Sequence, residues 1–210
     1  MSGIYDELAR LGSATVYEAS GREGLVDLEL EQVIPGSRAA GPARTVRCGQ
    51  GDNLMVHAVM ERIEPGDVLV LTMPEPAPVA LVGELLATQV LRRSAAALLV
   101  DAAVRDVEEL RTLGLPVWAR WVRVRGADKS VVGAIDEPVQ VGGALVRHGD
   151  AVVLDTDGAV VVAQQRVEEV AAAARARARG ERQKRRKLAA GSLSYDLDGL
   201  RQVMEERGEG

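Results

Sequence analysis

Residues 68–71 are four consecutive aliphatics, Val-Leu-Val-Leu, launched from the turn-like segment Glu64-Pro65-Gly66-Asp67. A short, unbroken apolar run after a turn predicts a strand buried on both faces. Ala97–Val100 and Pro116–Ala119 read the same way. Between these runs the period changes. Pro74–Pro78 is a loop, and Val79–Arg93 places Leu81, Leu85, Leu86 and Val90 at helical spacing. Val107–Leu113 predicts a short helix closed by Gly114. This alternation predicts a βαβαβ unit with parallel strands, and so an α/β fold.

The flanking segments carry shorter elements. Ile4, Leu8, Leu11, Val16 and Ala19 predict two short helices interrupted at Gly12, the second capped by Ser13 or Thr15. Residues 32–48 hold two extended stretches around Pro35-Gly36 and Gly41-Pro42, and residues 52–62 read as helical. From Val139 to Val162 the pattern is short strands and tight turns, with Asp155-Thr156-Asp157-Gly158 as a hairpin turn. His148-Gly149-Asp150 and the apolar run after it echo Pro65-Gly66-Asp67 and Val68–Leu71. Two turns of one type feeding buried strands explain this better than a repeat. Val167–Leu188 is an Ala/Arg/Glu-rich helix, and a last helix falls near Leu197–Glu206. The expected division is an α/β domain over residues 1–165. A helical extension over 166–210 would pack on that domain or on a neighbouring subunit.

Composition narrows the function classes. Hydrophobic residues make up 47% of the 210 positions, which excludes disorder for the chain as a whole. Aromatics are only 2%, with no Phe, so the core must be aliphatic. A nucleic-acid surface of stacked aromatics is disfavoured on the same ground. The net charge of −5 argues against a generic polyanion binder. The lone Cys48 precludes an internal disulfide, fits a reducing compartment, and reads as a small buried hydrophobe. No apolar run reaches the ~20 residues of a membrane span, and the expected location is cytoplasmic.

Ligands of a parallel sheet gather beyond the carboxyl ends of its strands. Strand 68–71 leads to a helix beginning near Gly83, and strand 97–100 leads into a loop, Asp101-Ala-Ala-Val-Arg105-Asp106. If the strands are neighbours, both segments share one edge. Gly83 would let the backbone turn tightly there. The amides of Glu84, Leu85 and Leu86 would then point from a helix N-terminus and bind a carboxylate or phosphate, with the leucine side chains in the core. Arg105 adds a bidentate cation, and Asp106 a hard oxygen suited to Mg²⁺ or Mn²⁺. His57 and His148 have no His or Cys companion at ligand spacing, which argues against zinc. His57 reads as structural or interfacial, and His148 as an exposed turn residue. Asp155 and Asp157 lack the remaining ligands of a calcium loop.

Gly83-Glu-Leu-Leu-Ala87 followed by Val100-Asp101-Ala-Ala-Val-Arg105-Asp106 resembles a pattern of one family. That family contains the regulator of ribonuclease activity A and the 4-hydroxy-4-methyl-2-oxoglutarate aldolases. Gly41-Pro42-Ala-Arg-Thr-Val46, Gly51-Asp-Asn-Leu54, Pro65–Val70, Pro138–Gly143, Gly149-Asp150, Asp155–Gly158 and Gly191–Arg201 also fit it. The resemblance implies a β/β/α swivelling-domain fold, a homotrimer or hexamer, and sites at subunit interfaces. It implies that the amides of Leu85 and Leu86 hold a pyruvyl carboxylate and that Arg105 contacts the enolate oxygen. Asp106 would bind Mg²⁺ or Mn²⁺ through a water-rich shell, supported by a C-terminal Glu of the neighbouring subunit, matched here to Glu181. The implied activity is aldol cleavage or decarboxylation of a small 2-oxo acid. Two other readings are a non-catalytic trimeric regulator of a ribonuclease or other protein, and recruitment to another enolate or lyase reaction. The basic run Arg175, Arg177, Arg179, Arg182 and Lys184–Lys187 could serve a regulator, although it reads more simply as a solvated helix face. The family's glycines are replaced by Ser94, Ala97, Ala102 and Trp121, and its proline after the last hairpin by Ala163.

Overall fold

A computed structural model describes residues 2–208. In chain order it has α1 (Ser2–Leu11), α2 (Ser13–Ala19), β1 (Leu25–Val26), β2 (Glu31–Gln32), β3 (Ala39–Arg47) and α3 (Leu54–Val59). There follow β4 (Val68–Thr72), β5 (Ala80–Val82), α4 (Glu84–Arg92), β6 (Ala97–Val104), α5 (Val107–Leu113) and β7 (Val117–Val122). The rest comprises β8 (Ala134–Ile135), β9 (Val139–Val141), β10 (Ala144–Val146), β11 (Ala151–Asp155), β12 (Gly158–Val162), α6 (Val167–Ala189), α7 (Ser194–Leu197) and α8 (Leu200–Glu206).

The long strand β3 joins two kinds of sheet. Its first half, Ala39–Pro42, pairs antiparallel with β11, and its second half, Ala43–Arg47, pairs parallel with β4. The sheet then runs β4-β6-β7 in parallel, as the alternating pattern predicts, and β2 closes the edge antiparallel to β7. On the other side β11, β12 and β1 form the antiparallel part. Val46 belongs to the core under α3, α4 and α5, and Ala40 to the core under α1, α2 and α6. Ala39 and Ala43 face the opposite way, into a third cluster with the β9–β10 hairpin.

The two echoing turns are the same device. Gly66 and Gly149 have φ of 91° and 86°, the left-handed position that the third residue of a type II turn needs. In each turn the following Asp accepts from the amide three residues earlier, Glu64 to Asp67 at 3.0 Å and Arg147 to Asp150 at 2.8 Å. Both turns deliver strands that flank β3.

Three expectations need correction. Residues 80–82 form a strand, not the start of a helix, because Ala80 and Val82 pair with the extended end of β6. Ala80, Leu81 and Val82 are all buried, and an unbroken apolar run alone does not discriminate between the two states. Strand β6 continues to Val104 through a bulge between Val100 and Ala103. Residues 101–104 are therefore strand, not loop. Neither Ser13 nor Thr15 caps α2, whose N-cap is Gly12. Instead the Ser13 amide and hydroxyl donate to Asp155 at 2.9 and 2.6 Å, so buried Asp155 clamps the α1–α2 junction.

Of the replaced glycines, Ser94 alone adopts positive φ, at 61°. A left-handed non-glycine residue is strained by about 1 kcal/mol. Ser94→Gly is therefore expected to raise Tm by about 2–4 °C in a thermal melt. Ala102→Gly, inside a buried strand, is expected to lower it.

Helix α6 packs by Val167, Val170, Ala171 and Ala174, and its later residues are largely exposed. Among the described residues no helix is long and apolar enough to cross a membrane.

Candidate active site

The ends of β5 and β6 bring the predicted residues together. The Arg105 amide donates to the Val82 carbonyl at 3.1 Å, which sets Arg105 and Asp106 beside Gly83 and the start of α4. Gly83 has φ −132°, ordinary extended backbone, so its role is not a tight turn. It permits close approach instead. A Cβ there would lie 2.3 Å from Asp106 Oδ2 and 3.1 Å from Arg105 Cγ and Nε. Gly126 does the same from the other side, where a Cβ would sit 2.8 Å from Arg105 Nη1.

Asp106 occupies the left-handed region, φ 58° and ψ 47°, at the N-cap of α5. Asp tolerates this conformation better than most residues, and it turns the carboxylate back onto α4. The Glu84 amide donates to Asp106 Oδ2 at 3.0 Å, and Arg105 Nε is 3.7 Å from the same oxygen. Glu84's amide is thus occupied within the chain, contrary to the expectation that it serves a ligand. The first-turn amides of Leu85 and Leu86 have no intrahelical acceptor, and no side chain among the described residues takes them. Leu86 is buried as expected, but Leu85 is 76% exposed. The apolar stripe of α4 runs through Leu86, Ala87 and Val90, which turns Leu85 outward.

These groups line a cleft of about 220 Å³ with Asn53, His57, Ala80, Leu81, Gly126, Ala127 and Lys129. Its charged side chains are Arg105, Lys129 and Asp106, an excess of cation suited to an anion. Asn53, His57, Gly126 and Lys129 were not expected here. Asn53 is the N-cap of α3 and His57 lies one turn into that helix, which brings both to the same wall of the cleft. Nothing local in the sequence marks Lys129. Its loop is held by fully buried Asp52, which accepts from the amides of Ser130, Val131 and Leu54 at 2.6, 3.1 and 2.8 Å. Burial works to raise the Asp52 carboxyl, but these donors hold it below its ordinary value.

Other expected residues lie elsewhere. Asp101 is in β6, 3% exposed and ion-paired with Arg120, and does not line the cleft. The reason is that the strand continues past Val100 and carries Asp101 with it. Glu181 lies on α6, 2.9 Å from Arg177, and does not line the cleft of its own chain. Cys48 is buried, and burial first, then Asp52, pushes its thiol up to about 12. It is no nucleophile at neutral pH.

The donor set bears on a metal. Among the described residues no three His, Cys, Asp or Glu converge, so one chain offers no closed cage. Asp106 is 40% exposed and its Oδ1 carries no hydrogen bond among the described residues. One free hard oxygen fits Mg²⁺ or Mn²⁺, which retain several waters.

The family model described as Aldolase/RraA, RraA-like, matches residues 4–161. The chain belongs to the RraA-like family. A relative from Halalkalibacterium halodurans, named "Putative 4-hydroxy-4-methyl-2-oxoglutarate aldolase", is 31% identical over 150 residues, covering 70% of this chain and 71% of its own. The crystal structure of Streptomyces coelicolor RraAS2 is described as an unusual member of the RNase ES inhibitor RraA protein family. It superposes with a TM-score of 0.78 at 31% identity, covering 88% of this chain and 96% of that one. The RNA-processing inhibitor RraA from Thermus thermophilus gives a TM-score of 0.65 at 28% identity, covering 71% and 91%. This RraA-like chain is therefore similar both to a protein named as an enzyme and to proteins named as inhibitors.

Proposed function

We propose that the protein is a divalent-metal-dependent carbon–carbon lyase that forms the enolate of pyruvate from a 2-oxo acid such as 4-hydroxy-4-methyl-2-oxoglutarate or oxaloacetate. The observation that carries this reading is the convergence, in one cleft, of the free Leu85 and Leu86 amides, the Arg105 guanidinium and the uncommitted Asp106 oxygen. The amides at the α4 N-terminus take the substrate carboxylate. The Arg105 fork faces the 2-oxo oxygen, where negative charge develops as the bond breaks. In aldol cleavage the C3–C4 bond breaks and its electron pair becomes the enolate. The C4 hydroxyl becomes a carbonyl, its proton leaves to water in the cleft, and a proton returned to C3 completes pyruvate. In decarboxylation carbon dioxide leaves instead, and the same enolate takes the proton. Mg²⁺ or Mn²⁺, held by Asp106 and supported through water by Glu181 of a neighbouring copy, would supply Lewis-acid stabilisation of the enolate. Leu85, which lines the cleft and is 76% exposed, supports a homotrimer or hexamer in which another subunit covers this region.

A regulator acting through the basic face of α6 is the second reading, favoured by the inhibitors among the similar structures. On this chain Arg175 pairs with Glu7, Arg177 with Glu181 and Lys184 with Asp198, which takes up part of that charge. The lyase reading is tested by pyruvate release coupled to lactate dehydrogenase, from both substrates, with Mg²⁺ or Mn²⁺ and with chelator. Metal-dependent release is expected, together with loss of metal dependence in Asp106→Ala. No pyruvate from either substrate sinks the lyase reading, and activity unchanged by chelator refutes a catalytic ion.

A further inference from the structure

Asn53 is 7% exposed and borders the cleft. Its Nδ2 donates to the Leu81 carbonyl at 2.9 Å. Because a carbonyl only accepts, this contact assigns the two ends of the amide: nitrogen toward Leu81, oxygen away from it. Oδ1 is then a buried acceptor with no donor. The residue cannot easily turn to find one. Its amide donates to the Asp128 carbonyl at 2.9 Å, and its carbonyl accepts from Val56 at 3.0 Å. A buried acceptor left without a partner keeps the full cost of its lost hydration. Such a group at a cleft wall marks where a ligand donor belongs.

Apart from His57 and from Asp106, which the lyase reading assigns to the metal, the polar groups of the cleft ask for the opposite. Leu85 and Leu86 offer N–H groups, and Arg105 and Lys129 offer cations, so all four are complementary to acceptor oxygens. A pyruvyl unit carries only acceptors and can satisfy these groups but not Asn53. The missing donor must come from a part of the substrate beyond the pyruvyl unit. In an aldol substrate that donor is the C4 hydroxyl. Oxaloacetate has no hydroxyl to offer. We infer that Asn53 determines specificity for 4-hydroxy-2-oxo acids, its Oδ1 accepting the hydrogen bond of the C4 hydroxyl. The inference rests on the lyase reading. Asn53 neither gains nor loses a proton in the reaction: it orients the hydroxyl whose proton then leaves to water.

The test compares kcat/KM for 4-hydroxy-4-methyl-2-oxoglutarate and for oxaloacetate, with metal present, in the wild type and in Asn53→Ala. The hydroxylated substrate is expected to lose on the order of 10–100-fold. Oxaloacetate is expected to change by less than about threefold, since the variant leaves the pyruvyl contacts in place. Equal losses on both substrates, or no loss on either, overturn the assignment and leave the lyase reading standing. A wild type that turns over oxaloacetate alone also overturns it. A wild type inactive on both removes the lyase reading and this inference with it. Should Asn53→Ala not fold, the smaller change Asn53→Ser keeps a polar side chain there, and the same ratio is read.

Discussion

Arg105→Ala is expected to lower turnover by on the order of 10²–10³-fold with either substrate, while thermal stability changes little. The large kinetic effect follows from where the guanidinium sits. It is held between Gly83 and Gly126, both of which leave room for it, and it borders the cleft beside the free amides of α4. A preorganised cation at that place costs no reorganisation when charge develops on the substrate. The small stability effect follows from exposure. The Arg105 side chain is 49% exposed and its ion partner Asp106 is 3.7 Å away and 40% exposed, and such pairs contribute at most about 1 kcal/mol. Arg105→Lys should recover part of the rate, because it keeps the charge but loses the planar fork. Single-turnover pyruvate release and a melt on the same preparation separate the two effects. A variant that unfolds at room temperature would make Arg105 structural and remove the main support for an enolate site.

Gly83→Ala carries the second large effect, and it tests the geometry through the addition of one methyl group. The backbone there is extended, so alanine meets no conformational strain, and an N-cap Gly→Ala change costs about 1 kcal/mol. The fold should survive. The new Cβ, however, would stand 2.3 Å from Asp106 Oδ2, so the carboxylate must leave the Glu84 amide and move within the cleft. Displacing a catalytic group by about 1 Å can reduce a rate by about 10²-fold. A loss of that order is expected, with weakened dependence on Mg²⁺ or Mn²⁺ and a melt within a few degrees of wild type. Full activity in this variant would mean that the position of Asp106 does not matter to the reaction.

Local rules were sufficient for much of the architecture. The apolar runs at 68–71, 97–100 and 116–119 mark strands because burial on both faces demands unbroken aliphatics, and the helices between them carry a different period. Those runs and the turns at Gly66-Asp67 and Gly149-Asp150 are local in origin, and the structure has them. The edge shared by Gly83, Leu85, Leu86, Arg105 and Asp106 was also legible, since parallel strands send their following segments to the same side.

Long-range pairing decided the rest. Residues 80–82 became a strand only because β6 runs on to Val104 and offers them a partner, and that same extension turned Asp101 from a loop residue into a buried ion pair with Arg120. Gly83 looked like a turn glycine, but the constraint on it comes from Asp106, 23 positions later. Lys129 reached the cleft through Asp52, a carboxylate 77 positions earlier that carries no sign of the role in its neighbours. Asn53 and His57 fell within a stretch that reads as helical, but nothing local marked them as a cleft wall. The sequence by itself determined where strands and helices would form and which chemistry sits at their ends, because periodicity and turn residues act over a few positions. Tertiary structure alone decided which side chains meet, because contact across a sheet depends on register and bulges that no local pattern records.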